Sequence, residues 1–230
     1  MAKKLLVLAA IAVVALFTAG TAWADSVPID NPSFEISDPL NISCGVPGCA
    51  YNYNNSIPGW TVTNGGSWQP GSTFFSSLPD GVLAAFTNHG SISQTLSETV
   101  LPDTVYTLNV FVANRGDGVN GTYTLSLDTI LNGVLTTLCA TPVLDANNIT
   151  AHTFQSEGCS YTSGTNVPAG DLFLMFTSDY GQLDIDDVSL NTQSTANVPE
   201  PSTLLLLGMG AALALGLGLR NKQRENALSA

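Results

Sequence analysis

Through the middle of the chain, apolar and polar side chains alternate in short runs. Residues 105–113 place Tyr106, Leu108, Val110 and Val112 on one side and Thr107 and Asn109 on the other. Residues 122–128 repeat the pattern, with Tyr123, Leu125 and Leu127 against Thr122, Thr124 and Ser126. A period of two marks a half-buried strand, because successive side chains leave opposite faces of the sheet. The connection from Asn114 to Gly121 is rich in Gly, Asn and Asp, so the two runs are expected to form a hairpin. Further strands are expected at 81–87, 91–96, 134–138, 149–156, 171–177 and 183–190. No stretch of 25–198 keeps a helical period over three turns. Many short strands at regular spacing predict an all-β fold, an antiparallel β-sandwich or jelly roll.

The ends read differently. Lys3 and Lys4 precede an uncharged apolar run at 5–19, and Ala22-Trp23-Ala24 follows with the small-x-small spacing of a processing site. That order predicts an N-terminal signal peptide over 1–24, a mature start at Asp25 and passage through the secretion machinery. A second uncharged run, 203–219, predicts a short transmembrane helix of roughly 25 Å at ~1.5 Å per residue, against a hydrocarbon core of ~30 Å. Arg220, Lys222 and Arg224 follow it, and such a basic flank stays cytoplasmic, leaving 225–230 as a cytoplasmic tail. The working domain is therefore expected at 25–196, outside the inner membrane.

Charge narrows the partners of that domain. The whole chain carries 6 Lys+Arg against 18 Asp+Glu. Within 25–198 there are 16 acids and one base, Arg115, a net of 1 − 16 = −15. Nucleic acid is excluded as a partner, because phosphate binding draws on clustered Lys and Arg. Anionic polysaccharides are repelled unless a cation bridges them, so a neutral glycan is the expected class. The chain holds no Gly-x-Ser-x-Gly elbow, no His-Glu-x-x-His and, between the ends, no Lys to serve as a base. The expectation is a protein that is not an enzyme. A purely structural matrix protein and a glycan hydrolase or lyase are the alternatives.

Four cysteines in an exported chain suggest two disulfides. Of three connectivities, Cys44–Cys49 with Cys139–Cys159 is favoured because both loops are local. A zinc site is disfavoured, since there is no Cys-x-x-Cys pair and His89 and His152 are not at ligand spacing.

Several local sequences carry resemblances. Pro199-Glu200-Pro201, then the apolar run, then Arg220, Lys222 and Arg224, resembles the PEP-CTERM sorting signal of Gram-negative bacteria, here over 197–224. The resemblance implies recognition by an exosortase, transient residence in the inner membrane, and delivery to the cell surface or extracellular matrix. It also implies a link to exopolysaccharide or biofilm. Asn31-Pro32-Ser33-Phe34-Glu35, Ile57-Pro58-Gly59-Trp60, Ser91-Ile92-Ser93-Gln94-Thr95-Leu96 and the strand 184–190 are similar to segments of galactose-binding-like jelly-roll domains. Many such domains are carbohydrate-binding modules, and in several a structural calcium sits between the opening and closing strands. Glu35 and Asp186 stand at the matching positions, with Asp187 a possible substitute. Carboxylate oxygens are the ligand type calcium takes.

Sugar rings need aromatic platforms with polar groups around them. Trp68, Phe74 and Phe75, in a Gly/Ser-rich stretch expected to be a loop or rim, and Tyr51 and Tyr53, alternating with Asn52 and Asn54, are the candidate platforms. Arg115, Asn88 and His89 are candidate hydrogen-bonding partners. Trp60 is assigned to the core.

Overall fold

The structure, a computed structural model, describes residues 24–195 together with the isolated Gly210. Apart from Ala24 and Gly210, the predicted signal peptide, transmembrane helix, sorting signal and tail lie outside the described residues. The described residues 24–195 belong to one compact unit. Its strands in chain order are β1 (Ala24–Ser26), β2 (Ile42–Ser43), β3 (Ala50–Tyr51), β4 (Ser56–Ile57), β5 (Trp60–Gln69), β6 (Ala84–Thr99) and β7 (Thr104–Asn114). There follow β8 (Thr122–Leu131), β9 (Val134–Ala140), β10 (Leu144–Asp145), β11 (Thr153–Thr162), β12 (Asp171–Tyr180) and β13 (Gln182–Ser194). All strand pairings are antiparallel. This is the all-β jelly-roll architecture.

The expected alternation holds. Tyr106, Leu108, Val110 and Val112 of β7, and Tyr123, Leu125 and Leu127 of β8, are all buried in one core. The sequence expectation of separate strands at 81–87 and 91–96 gives way to a single sixteen-residue β6. That strand serves two layers. Its first half pairs with β13 and the end of β5, and its second half with β12 and the start of β5. The turn between layers falls at His89 and Asn64, both in left-handed backbone, where β5 shifts register. Gly65 and Gly90 flank it, because a Cβ at either would strike the neighbouring strand's carbonyl. The expected strand at 149–156 is also corrected. The chain makes a 3₁₀ turn over Ala146–Asn148, capped by Asp145, and strand pairing runs from Thr153 to Thr162.

The segments that resemble jelly-roll openings and closings meet in space. Gln94 Nε2 donates to the carbonyls of Asp30 and Gly59, both at 2.9 Å, and Gln94 Oε1 accepts from Asp30 N at 2.9 Å. Trp60 is buried as expected, its Nε1 donating to Asn31 O at 3.0 Å and its ring 5.2 Å from Phe34. A bulge at Asp187 breaks the β13–β7 register, and the next residue, Val188, donates its N–H to Pro32 O. The first loop is thereby tied to the last strand. The disulfides Cys44–Cys49 and Cys139–Cys159 are both formed, the second joining β9 to β11.

Candidate functional site

The outer face of the layer β3–β5–β6–β13–β7 carries its own apolar cluster, separate from the main core. Trp68, Phe75, Ala84, Phe86 and Ala113 form it, with Phe74, Tyr51 and Phe154 packed alongside. An aromatic layer outside a sheet needs a cover to keep it from water. Here the loops bearing Cys44–Cys49 and Phe74–Phe75 supply one. Between these loops and the sheet lies a cleft of about 360 Å³.

The cleft brings together Tyr51, Tyr53, Trp68, Phe74 and Arg115, five of the ligand-binding candidates of the sequence, with Asn88 beside them. Trp68 corrects one expectation. It is part of β5 rather than of a loop, and is 3% exposed, with Phe74 and Phe75 edge-on at 5.5 and 5.7 Å. Tyr51 and Tyr53 stand 6.0 and 5.8 Å from Phe86. Sequence reasoning missed Phe86, Gln182 and Asp184. A signal for the first was present: an aromatic on the side of β6 facing away from Ala85 and the core.

Arg115 is the cation of this face. Its Cζ lies 4.9 Å from the Trp68 ring centre and 4.8 Å from that of Phe74, within cation–π range of both rings of the edge-on pair. Nη2 pairs with Asp117 at 2.7 Å, and Nη1 donates to Gln182 Oε1 at 2.8 Å. Gln182 Nε2 in turn donates to Asp184 Oδ1 at 2.6 Å. Asp184 is fully buried, and burial pushes its carboxyl up to about 7, against the opposing effects of Arg115 and the Gln182 hydrogen bond. The arrangement is an aromatic slot with a buried carboxylic acid behind its polar end. His89, the other sequence candidate, does not line the cleft and packs edge-on against Tyr180, while His152 Nδ1 lies 3.0 Å from Phe74 O, tying the covering loop to β11's approach.

The metal candidates lie farther along β13. Asp186 is fully buried, and its carboxylate accepts from Asp80 N at 3.2 Å and Asp187 N at 2.8 Å. Burial nevertheless pushes it up to about 7, with the charges of Asp187 and Glu35 adding to the rise. Glu35 Oε1 accepts from Val82 N and Leu83 N. Gly81 lies so close to that carboxylate that a Cβ would collide with it. Among the described residues no three His, Cys, Asp or Glu side chains converge as metal ligands. A cation at Glu35 and Asp186 would need backbone carbonyls to fill its shell, which calcium accepts.

A second groove, of about 420 Å³, runs between residues 25–28 and 97–101. Its one aromatic lining residue, Tyr106, accepts from Leu101 N at 2.7 Å through its hydroxyl, so it is poorly equipped to present a ring face.

Comparison with known proteins matches residues 25–191 to the HpiC1-like family, described as HpiC1 cyclase, and residues 197–224 to the PEP-CTERM protein-sorting motif. No curated protein matches the chain. A cyclase from Fischerella sp. TAU, solved with 4-(1H-indol-3-yl)butan-2-one, aligns at 20% identity over 75% of this chain and all of that one, with a TM-score of 0.59. That likeness shows a shared fold. The CBM22-1 xylan-binding domain of Xyn10C from Paenibacillus barcinonensis aligns at 12% identity over 77% of this chain and all of that one, with a TM-score of 0.46.

Proposed function

This chain belongs to the HpiC1-like family and ends in a PEP-CTERM motif, and from that premise we propose that it is an exported surface or matrix protein of a Gram-negative bacterium whose cleft binds neutral ring-shaped ligands, sugar residues of a polysaccharide first among them. One observation supports this above the others. Five aromatic side chains from β3, β5, β6 and the adjoining loops line a single cleft of ligand size. Apolar ring faces are what aromatic platforms recognise. The cleft's cation is already paired with Asp117, and the domain's −15 charge opposes a free anion. Titration of the purified chain with a neutral glycan panel by calorimetry should give binding that Trp68→Ala removes. Retained affinity in that variant would defeat the reading.

A second reading rests on Asp184. A buried carboxyl titrating near neutrality can hold a proton at physiological pH and give it to a bound ligand, as acid catalysis requires. The cyclase description of the family points the same way. Under that reading Asp184→Asn keeps ligand binding and abolishes turnover. Loss of binding without any turnover in the parent chain leaves the binding reading standing.

We also infer that Glu35 and Asp186, with Asp187 at the bulge, help hold a structural calcium. The support is chemical: a buried carboxylate beside two further acids, with no cation among its described partners.

A further inference from the structure

The link from β7 to β8 opens with Arg115-Gly116-Asp117-Gly118 and carries the one base of residues 25–198. Gly116 and Gly118 take left-handed backbone, at φ 75° and 80°, and curl the chain back on itself. Two buried amides fix the curl. Asn120 Oδ1 accepts from Arg115 N at 3.0 Å, and Asn114 Oδ1 accepts from Gly116 N at 2.8 Å. Asn120 Nδ2 joins the pair by donating to Asn114 Oδ1 at 2.8 Å. So held, the loop turns Asp117 toward the guanidinium, its Oδ2 2.7 Å from Arg115 Nη2.

The guanidinium itself belongs to the cleft. Its carbon lies 4.9 and 4.8 Å from the ring centres of Trp68 and Phe74, and Nη1 donates to Gln182 Oε1 at 2.8 Å. All three partners line the cleft, as Arg115 does, whereas Asp117 lies outside the lining and meets the guanidinium from the loop side. An arginine fork beside aromatic rings is the natural seat for a carboxylate borne on a ring. Here a carboxylate of the chain already occupies Nη2 and cancels the charge, so a second one gains little. We propose that Asp117 is the specificity-determining residue of the cleft: it masks an anion subsite at Arg115 and so reserves the slot for neutral rings. The proposal rests on the reading of the cleft as the ligand site, and it names the side chain that sets the ligand class there. The −15 charge of the domain opposes anions over its whole surface, while Asp117 acts at one point, so the two causes separate by mutation.

The test uses the purified full chain at neutral pH and low salt with two nearly isosteric probes, benzamide and benzoate, one neutral and one anionic. Binding is followed by the indole N–H resonance of Trp68, identified by its loss in Trp68→Phe. The parent should bind benzamide more tightly than benzoate. In Asp117→Asn, which keeps size and shape, benzoate should bind about fivefold more tightly than in the parent, the upper end of what a part-exposed ion pair contributes. Benzamide should bind as before, and added salt should erase the benzoate gain. Asp171→Asn removes one charge at the start of β12, outside the cleft, and should leave both affinities unchanged. No gain for benzoate in Asp117→Asn, or an equal gain in Asp171→Asn, overturns the specificity role and leaves the cleft as a binding site. Failure of both probes to move the Trp68 signal in parent and variant at about 50 mM overturns this inference, and the glycan titration then decides the cleft reading by itself.

Discussion

Replacing Asp184 by Asn should make the stability of this domain less sensitive to pH, and the size of the effect can be worked out. An ordinary aspartate titrates at 3.8, whereas folding raises Asp184 to about 7, chiefly by burial. Between those limits the unfolded state binds fewer protons than the folded one, so stability falls as pH rises. The contribution is complete below 3.8 and gone above about 7. From pH 5 to pH 7 the window is roughly 2 pH units, or about 3 kcal/mol at ~1.36 kcal/mol per unit. Asn cannot ionise, so that slope disappears in the variant. Asn has its own pH-independent cost, because its amide nitrogen inherits the unpartnered position of Oδ2. The quantity to measure is therefore the difference of differences. Urea unfolding of parent and variant at pH 5 and pH 8 should give a variant that gains about 3 kcal/mol relative to the parent between the two. Asp186 titrates in both proteins, so its contribution cancels to first order. Parallel pH profiles would refute the claim that a buried, chargeable Asp184 sits under the cleft.

Three further outcomes are expected. Adding excess chelator to the chain as isolated should lower its melting temperature by several degrees, since an ion at a hundred times its Kd contributes about 2.7 kcal/mol, and Glu35→Gln should abolish the response. Gln94→Ala removes the partners of Asp30 N, Asp30 O and Gly59 O together and should cost about 3 kcal/mol, seen as a lower urea midpoint at unchanged slope. Removing Cys139–Cys159 should cost about 3 kcal/mol and removing Cys44–Cys49 about 2, because the longer closed loop restrains more of the unfolded chain. A reversed order in paired calorimetric scans would contradict that account.

What could be read in the linear chain has a common physical character. Tyr106 to Val112 and Tyr123 to Leu127 declare their strands because a period of two is a local property of the backbone. The local disulfides are legible for the same reason: each closes a short loop. The sorting motif is legible because an enzyme reads it as sequence. The aromatic candidates Tyr51, Tyr53, Trp68 and Phe74 were recognisable by type, but Trp68 was misplaced in a loop. Its Gly-Gly-Ser neighbours read as a turn, whereas in the fold they form the close crossing of β5 on β6.

The composition and alternation of this chain were enough to determine an acidic antiparallel sandwich with aromatic side chains to spare for its outer face. They could not determine which of those side chains meet. Asp184 comes to lie behind Arg115 through pairings between residues far apart in sequence, β6 with β13 and β13 with β7, and through the Gln182 bridge. Its raised pKa exists only once those strands have excluded water from around it. Local propensity acts over a few residues, while burial and hydrogen-bond satisfaction depend on the whole packed sheet, and so the site belongs to the tertiary structure alone.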